Sequence, residues 1–319
     1  HAADALARLA IKNPDNQAQI AKHCVALLAN PSVGAQTRSA RVLRDLAASN
    51  PGSPVVIVNA GAISPLVTLL STGAAEVKEE AAGALSTLAF NSPSTQLAIA
   101  SGLVVLVGTG SGESQEHVSH LLITLARDPE NCVAIAKAGA IPRLVVQLRG
   151  GGRTTVKAQE LAAAVLSYLS SSEDSIKAIA ASNGIRPLVT MLTAGTSAAQ
   201  AHAASVLSDM ARSSSRNQSQ IISEGGIAPL VNLLAKENNA RTKAAAAGAL
   251  RSLSSGQPDT QKAVADAGAI KPLVVLLNED DDNARKKAAG ALAAICLESH
   301  ENQDAVEKNK GISKLVGLL

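Results

Sequence analysis

The chain has 319 residues, 46% of them hydrophobic, but with one Phe, one Tyr and no Trp its core must be built from Leu, Ile, Val and Ala. Its 29 basic and 26 acidic residues leave a net charge of +3, too balanced for a phosphate-tracking stripe, and with aromatic stacking partners almost absent a nucleic-acid role is disfavoured. No apolar run approaches the roughly 18–20 residues of a membrane span, and the first residues enter a helix at once instead of forming a secretory signal. Cys24, Cys132 and Cys296 are odd in number and far apart, which suits reduced thiols and a cytoplasmic or nuclear location.

In chain order, HAADALARLA opens on a helix, and NPDNQAQIAKH from Asn13 begins a unit that returns as DPENCVAIAKAG from Asp128, QPDTQKAVADAG from Gln257 and HENQDAVEKNKG from His300. GAISPLVTLL from Gly61 returns as GAIPRLVVQL from Gly139, GIRPLVTML from Gly184, GIAPLVNLL from Gly226, GAIKPLVVLL from Gly268 and GISKLVGLL from Gly311. An alanine-rich helix follows, as in EEAAGALSTLA from Glu79, AAAAGALRSLS from Ala244 and KKAAGALAAIC from Lys286. A period of about 42 residues defines a stacked helical solenoid. Each unit is expected to hold a short helix, a Gly turn, a second helix and a longer third one. The turn glycines Gly61, Gly139, Gly184, Gly226, Gly268 and Gly311 are expected to take the left-handed conformation. Pro65, Pro187, Pro229 and Pro272, with Pro142 one position earlier, fall in the first turn of the second helix, where a missing donor costs little.

Repeated this often, the Gly-Ala-Ile-Pro-x-Leu-Val-x-Leu-Leu and Ala-Ala-x-Ala-Leu pattern resembles the armadillo-repeat family over essentially the whole chain, in a flavour similar to the vacuolar-type arrays. The resemblance implies an all-α fold, a right-handed α-solenoid of stacked three-helix armadillo repeats. Seven complete repeats are expected at 12–49, 50–91, 92–127, 128–171, 172–214, 215–256 and 257–299, with a third helix alone at 1–11 and first and second helices at 300–319. Neither end carries the polar cap of a free-standing array, so the chain is expected to be a piece of something longer. The 92–127 repeat departs from the others: 17 positions separate Leu103 from His120, where 20 separate Ile63 from Gly83, and its second helix GLVVLVGTG is expected to be cut short, with irregular twist and a weaker interface.

Enzyme signatures fail individually. GTGSGES from Gly108 lacks the GK[ST] ending of a phosphate loop and, like RGGGR from Arg149, reads as a linker between second and third helices. His117 and His120, with Glu116 adjacent, could begin a metal site, but no third ligand can be named and they read as surface histidines. NEDDDN from Asn278 lacks the sixth-position Gly and twelfth-position Glu of a calcium loop and reads as a helix cap ahead of Arg285, Lys286 and Lys287. No cofactor is implied and the chain reads as non-enzymatic.

The surface remains. On EEAAGALSTLA, at about 100° per residue, Ala81, Ala84, Leu85 and Leu88 face the core and Glu79, Gly83, Ser86 and Thr87 the opposite side, which should line a concave groove. Importin-α-like relatives place Trp at the Gly83 position and Asn at the Thr87 position to bind basic peptides. Here the Trp row reads Asp4, Arg41, Gly83, His120, Ala164, Ser205, Gly248 and Gly290, and the Asn row Arg8, Asp45, Thr87, Thr124, Tyr168, Asp209, Ser252 and Ala294. Without indoles and amides, nuclear-import recognition is placed in doubt.

Candidate groove residues are Arg41, Arg44, Asp45, Thr87, His120, Thr124, Tyr168, Asp209 and Ser252. Arg38, Arg41 and Arg44 form a basic stripe that could grip an acidic or phosphorylated partner segment near the N-terminal repeats, the alternative being a solvated face. Tyr168 is either a binding hot spot or a ring folded over the ridge between repeats. The expected function is a protein-interaction scaffold or adaptor holding an extended segment of a partner, with membrane anchoring only through regions outside this chain. Alternatives are the substrate-recruiting region of a larger enzyme such as a ubiquitin ligase, and a structural spacer in a large assembly.

Overall fold

The computed structural model describes residues 2–49, 51–89, 93–107, 112–152, 154–235 and 237–319. The chain divides into two compact units, His1–Leu161 and Ala162–Leu319. The first carries α1 (Ala2–Ala10), α2 (Pro14–Leu28), α3 (Val33–Ser49), α4 (Ser53–Asn59), α5 (Ile63–Thr72), α6 (Ala75–Ala89), α7 (Pro93–Leu106), α8 (Gly112–Leu125), α9 (Pro129–Lys137) and α10 (Ala140–Arg149). The division falls within α11 (Val156–Leu169). The second carries α12 (Glu173–Ala181), α13 (Ile185–Ala194), α14 (Ser197–Ser213), α15 (Ser215–Ser223), α16 (Ile227–Asn232), α17 (Ala240–Ser254), α18 (Pro258–Asp266), α19 (Ile270–Leu276), α20 (Asp282–Cys296), α21 (His300–Lys308) and α22 (Gly311–Val316). No strand occurs among the described residues, and the architecture is an all-α solenoid. No single helix among them is long and apolar enough to cross a membrane.

Alanine lets the long helices lie close. In the first unit α3 stacks on α6 and α6 on α8; in the second α14 stacks on α17 and α17 on α20. Ala81, Ala84, Leu85 and Leu88 are fully buried as the helical period requires, and Ala203, Ala246, Ala247, Ala288 and Ala291 do the same work in the second unit. Each buried leucine contributes about 1.5–3 kcal/mol.

The turns follow a stricter rule than the position of glycine. Gly61, Gly139 and Gly268 are left-handed, but Gly184 and Gly226 are right-handed and the left-handed residues are Asn183, Gly225 and Lys310. In all six turns that residue stands two positions before the isoleucine opening the next helix. Where the sequence reads GI instead of GAI, the glycine takes the place of the buried alanine, and its predecessor makes the turn. At Gly268, φ is +84° and an added Cβ meets nothing within 4 Å, so a side chain there costs backbone energy alone. Gly268→Val is expected to lower stability by about 1–2 kcal/mol and Gly268→Asn by much less, read from urea denaturation midpoints.

Two units lack the turn altogether. α2 and α7 run unbroken where a first and a second helix were expected. In α2 His23 and Cys24 occupy the turn, with no residue suited to positive φ, and in α7 Gly102 stays helical against Ile63 and Val67. The expected shortened second helix of the 92–127 repeat is therefore the tail of one continuous helix. The GTGSGES linker lies partly outside the described residues; of RGGGR, Gly150, Gly151 and Gly152 all have positive φ.

Buried amides tie each short first helix to the long helix before it. Gln17 donates to the Ala10 carbonyl at 2.8 Å, Asn131 to Leu125 at 3.0 Å, Asn217 to Met210 at 3.1 Å and Asn302 to Ile295 at 2.8 Å, and Thr95 donates to Leu88 at 2.6 Å. These side chains satisfy carbonyls that a helix end leaves without an intrahelical partner. Asp281 caps α20 by accepting from the Ala284 amide at 2.7 Å, the role read for the acidic run.

Candidate functional site

In the first unit the arginines of α3 are held internally. Arg41 donates to Glu80 Oε1 through Nε at 2.9 Å and Nη2 at 2.7 Å, and Arg44 Nη1 donates to Glu80 Oε2 at 2.6 Å. Glu80 projects from α6 with only 11% of its side chain exposed, and Arg44 also lies 3.5 Å from Asp45. The Glu80 carboxylate raises the Arg41 pKa, first through its hydrogen bond and then through its charge. One carboxylate thus satisfies two guanidinium groups, so the expected stripe for an acidic or phosphorylated segment is corrected: Arg41 and Arg44 already hold their anion. Arg38 remains exposed. The side chain of Asp4, in the Trp row, lies outside the described residues.

The other candidates of this unit are not drawn together. Thr87 donates to the Gly83 carbonyl at 2.9 Å and Thr124 to the His120 carbonyl at 3.1 Å, each within its own helix. His120 is exposed at the ring edge, yet partial desolvation, with Lys157 and His117 adding, lowers its pKa. His117 Nδ1 lies 2.8 Å from the Glu113 carbonyl.

In the second unit α14, α17 and α20 enclose a cavity of about 340 Å³. From α14 it is lined by Ala201, Ser205, Ser208, Asp209 and Arg212, from α17 by Arg241, Ala244, Ala245 and Gly248, and from α20 by Asn283 and Lys287. Helical spacing puts these residues on one face because they recur at three and four positions. Asp209 accepts from Ser170 Oγ at 2.8 Å and from Arg212 Nη2 at 2.7 Å, which spends its charge internally. Arg241 Nη2 donates to His202 Nε2 at 3.1 Å, and His202 Nδ1 is 2.8 Å from Ser167 Oγ, a chain that requires a neutral ring with its proton on Nδ1. Ser252 and Ser208 share a hydrogen bond at 3.0 Å at the cavity edge. Tyr168 is half-buried on α11 and does not line the cavity.

Of the predicted residues the structure therefore brings together Arg41, Arg44 and Asp45 in one cluster and Asp209 with the neighbour of Ser252 in another. Glu80, Arg241, Arg251 and Lys287 were missed because they lie off the two rows used to trace the groove. A signal existed for Glu80: it stands 39 and 36 positions after Arg41 and Arg44, close to one repeat. The thiols are quiet: Cys24, Cys132 and Cys296 are free, and burial pushes Cys24 up to about 11 and raises the other two.

The stacked helices and their open face define a class, the all-α repeat solenoids that serve as protein-binding scaffolds. The armadillo/beta-catenin-like repeat matches residues 50–90, 214–255 and 257–297. An engineered protein of known structure is 29% identical, covering all of this chain and 90% of its own with a TM-score of 0.66, and another is 30% identical over 86% and 96% with a TM-score of 0.53. A designed armadillo repeat protein in complex with the peptide (KR)4 shares the fold at 21% identity, over 86% of this chain and 98% of its own, with a TM-score of 0.52. No curated protein matches the sequence. The chain belongs to the armadillo-repeat family.

Proposed function

We propose that this chain is a non-enzymatic scaffold that holds an extended segment of a partner protein along the open face of its long helices. The observation that carries the reading is the cavity between α14, α17 and α20, where the Ser205 hydroxyl, the Asn283 amide and the Lys287 ammonium have no internal partner among the described residues. Donors left free around a concavity of this size match a site that fixes a ligand by a few placed polar groups. The fold is suited to the task, since a designed armadillo protein is found in complex with a peptide.

The test is affinity capture from lysate with the wild-type chain and with Tyr168→Ala plus Ser205→Trp, which removes the aromatic candidate and fills the cavity. A partner retained by the wild type should be lost at least tenfold in the variant. An unchanged partner set would reject the open face and favour the second helices, where Val146 and Val275 are more than half exposed.

A further inference from the structure

The two units use one geometry with opposite charge. Arg44 lies across Gly83, 39 positions later, where an added Cβ would be 3.3 Å from its Cδ and 3.4 Å from its Nη1. Arg251 lies across Gly290, also 39 positions later, where the added Cβ would be 3.2 Å from the same two atoms. Three residues before each glycine stands the side chain that meets the arginine. In the first unit it is Glu80, which accepts from Arg44 Nη1 at 2.6 Å. In the second it is Lys287.

The lysine cannot accept that hydrogen bond, and no carboxylate replaces it. Among the described residues neither Arg251 nor Lys287 has an ion-pair partner. The acids nearby are engaged: Asp209 with Arg212 and Ser170, Asp282 with Arg285, and Glu279 with Lys243. Lys287 reaches back over Gly248, with its Nζ 3.9 Å from an added Cβ there, so its ammonium stands at the cavity. Arg241 adds a third cation at the same cavity, oriented by His202.

We propose that the second unit takes a glutamate or aspartate side chain of a partner segment between Arg251 and Lys287, where the first unit has Glu80. The proposal rests on the open-face reading above and adds the chemistry of the occupant. Two cations that converge without an anion repel one another, and an incoming carboxylate relieves the repulsion while forming charge-assisted hydrogen bonds to both. A basic peptide such as (KR)4 meets like charge here and is rejected.

The experiment uses fluorescein-labelled (SE)4, (SQ)4 and (KR)4 peptides with the full 319-residue chain at low salt, read by fluorescence polarisation. Saturable binding of (SE)4, at least tenfold tighter than (SQ)4 and absent for (KR)4, is expected. Lys287→Glu supplies the carboxylate from within, so it should cut (SE)4 affinity at least tenfold while raising the melting temperature. Arg251→Gln should cut affinity without that rise. Equal binding of (SE)4 to wild type and Lys287→Glu, or no saturable (SE)4 binding, overturns the carboxylate site. If in that case the Tyr168→Ala plus Ser205→Trp variant still loses its captured partner, the open-face reading survives and only the occupant is wrong.

Discussion

Glu279→Ala is expected to lower the unfolding free energy by about 2–3 kcal/mol, because it leaves a buried lysine without its anion. Lys243 projects from α17 with 7% of its side chain exposed and donates to Glu279 Oε1 at 2.6 Å, while Glu279 is 33% exposed. That partial exposure places the cost below the range of fully buried pairs. Lys243→Met in the same background should recover most of the loss, since the stranded charge is what costs. Urea denaturation of the single and double variants checks both statements. The equivalent pair of the first unit, Lys78 with Glu113 at 2.9 Å, is weaker by the same logic, because Glu113 is 52% exposed; Glu113→Ala should cost about 1 kcal/mol or less. Its pH dependence has a definite sign. Lys78 lowers the Glu113 pKa, first through the hydrogen bond and then through its charge, so the contribution is complete above the ordinary carboxylate value and is lost as pH falls through the lower folded value.

Asn217→Ala is expected to cost about 2 kcal/mol, with the loss concentrated at the junction of α14 and α15. Asn217 is 7% exposed, and its amide donates to the Met210 carbonyl at 3.1 Å and to Ser213 Oγ at 3.0 Å. Alanine leaves that carbonyl at a buried helix end with no replacement donor. In a stacked array each repeat contacts only its neighbours, so the damage should stay local. Hydrogen exchange should accelerate across the end of α14 and across α15 more than across α20. Uniform acceleration along the chain would show that the amide does not act as a junction clamp.

The fold was legible because the repeat is written in the sequence several times over. Ala81, Ala84, Leu85 and Leu88 face the core as their spacing demands. Finer errors came from reading residue type in place of register. Gly184, Gly226 and Gly311 were expected to be left-handed, but the turn is fixed by its distance from the following isoleucine, and Asn183, Gly225 and Lys310 bear it. The merged helices α2 and α7 follow from the missing turn residue, a local absence masked by the strength of the surrounding pattern.

The candidate site was less legible, for a physical reason. Which side chains of a solenoid face are free depends on pairing between repeats, at separations such as the 36 positions from Arg44 to Glu80 and from Arg251 to Lys287. Reading one helix at a time shows Arg38, Arg41 and Arg44 as a basic stripe; reading across repeats shows Glu80 neutralising two of them. The same comparison turns attention to the second unit, where the corresponding partner is a cation.

The most direct test of the account is site-specific photocrosslinking to the captured partner, with benzoylphenylalanine introduced at Ser205, which lines the cavity, or at Val275, which is 51% exposed on α19. The account predicts a crosslinked adduct from position 205 and none from position 275. An adduct from position 275 alone would contradict it and assign binding to the second helices.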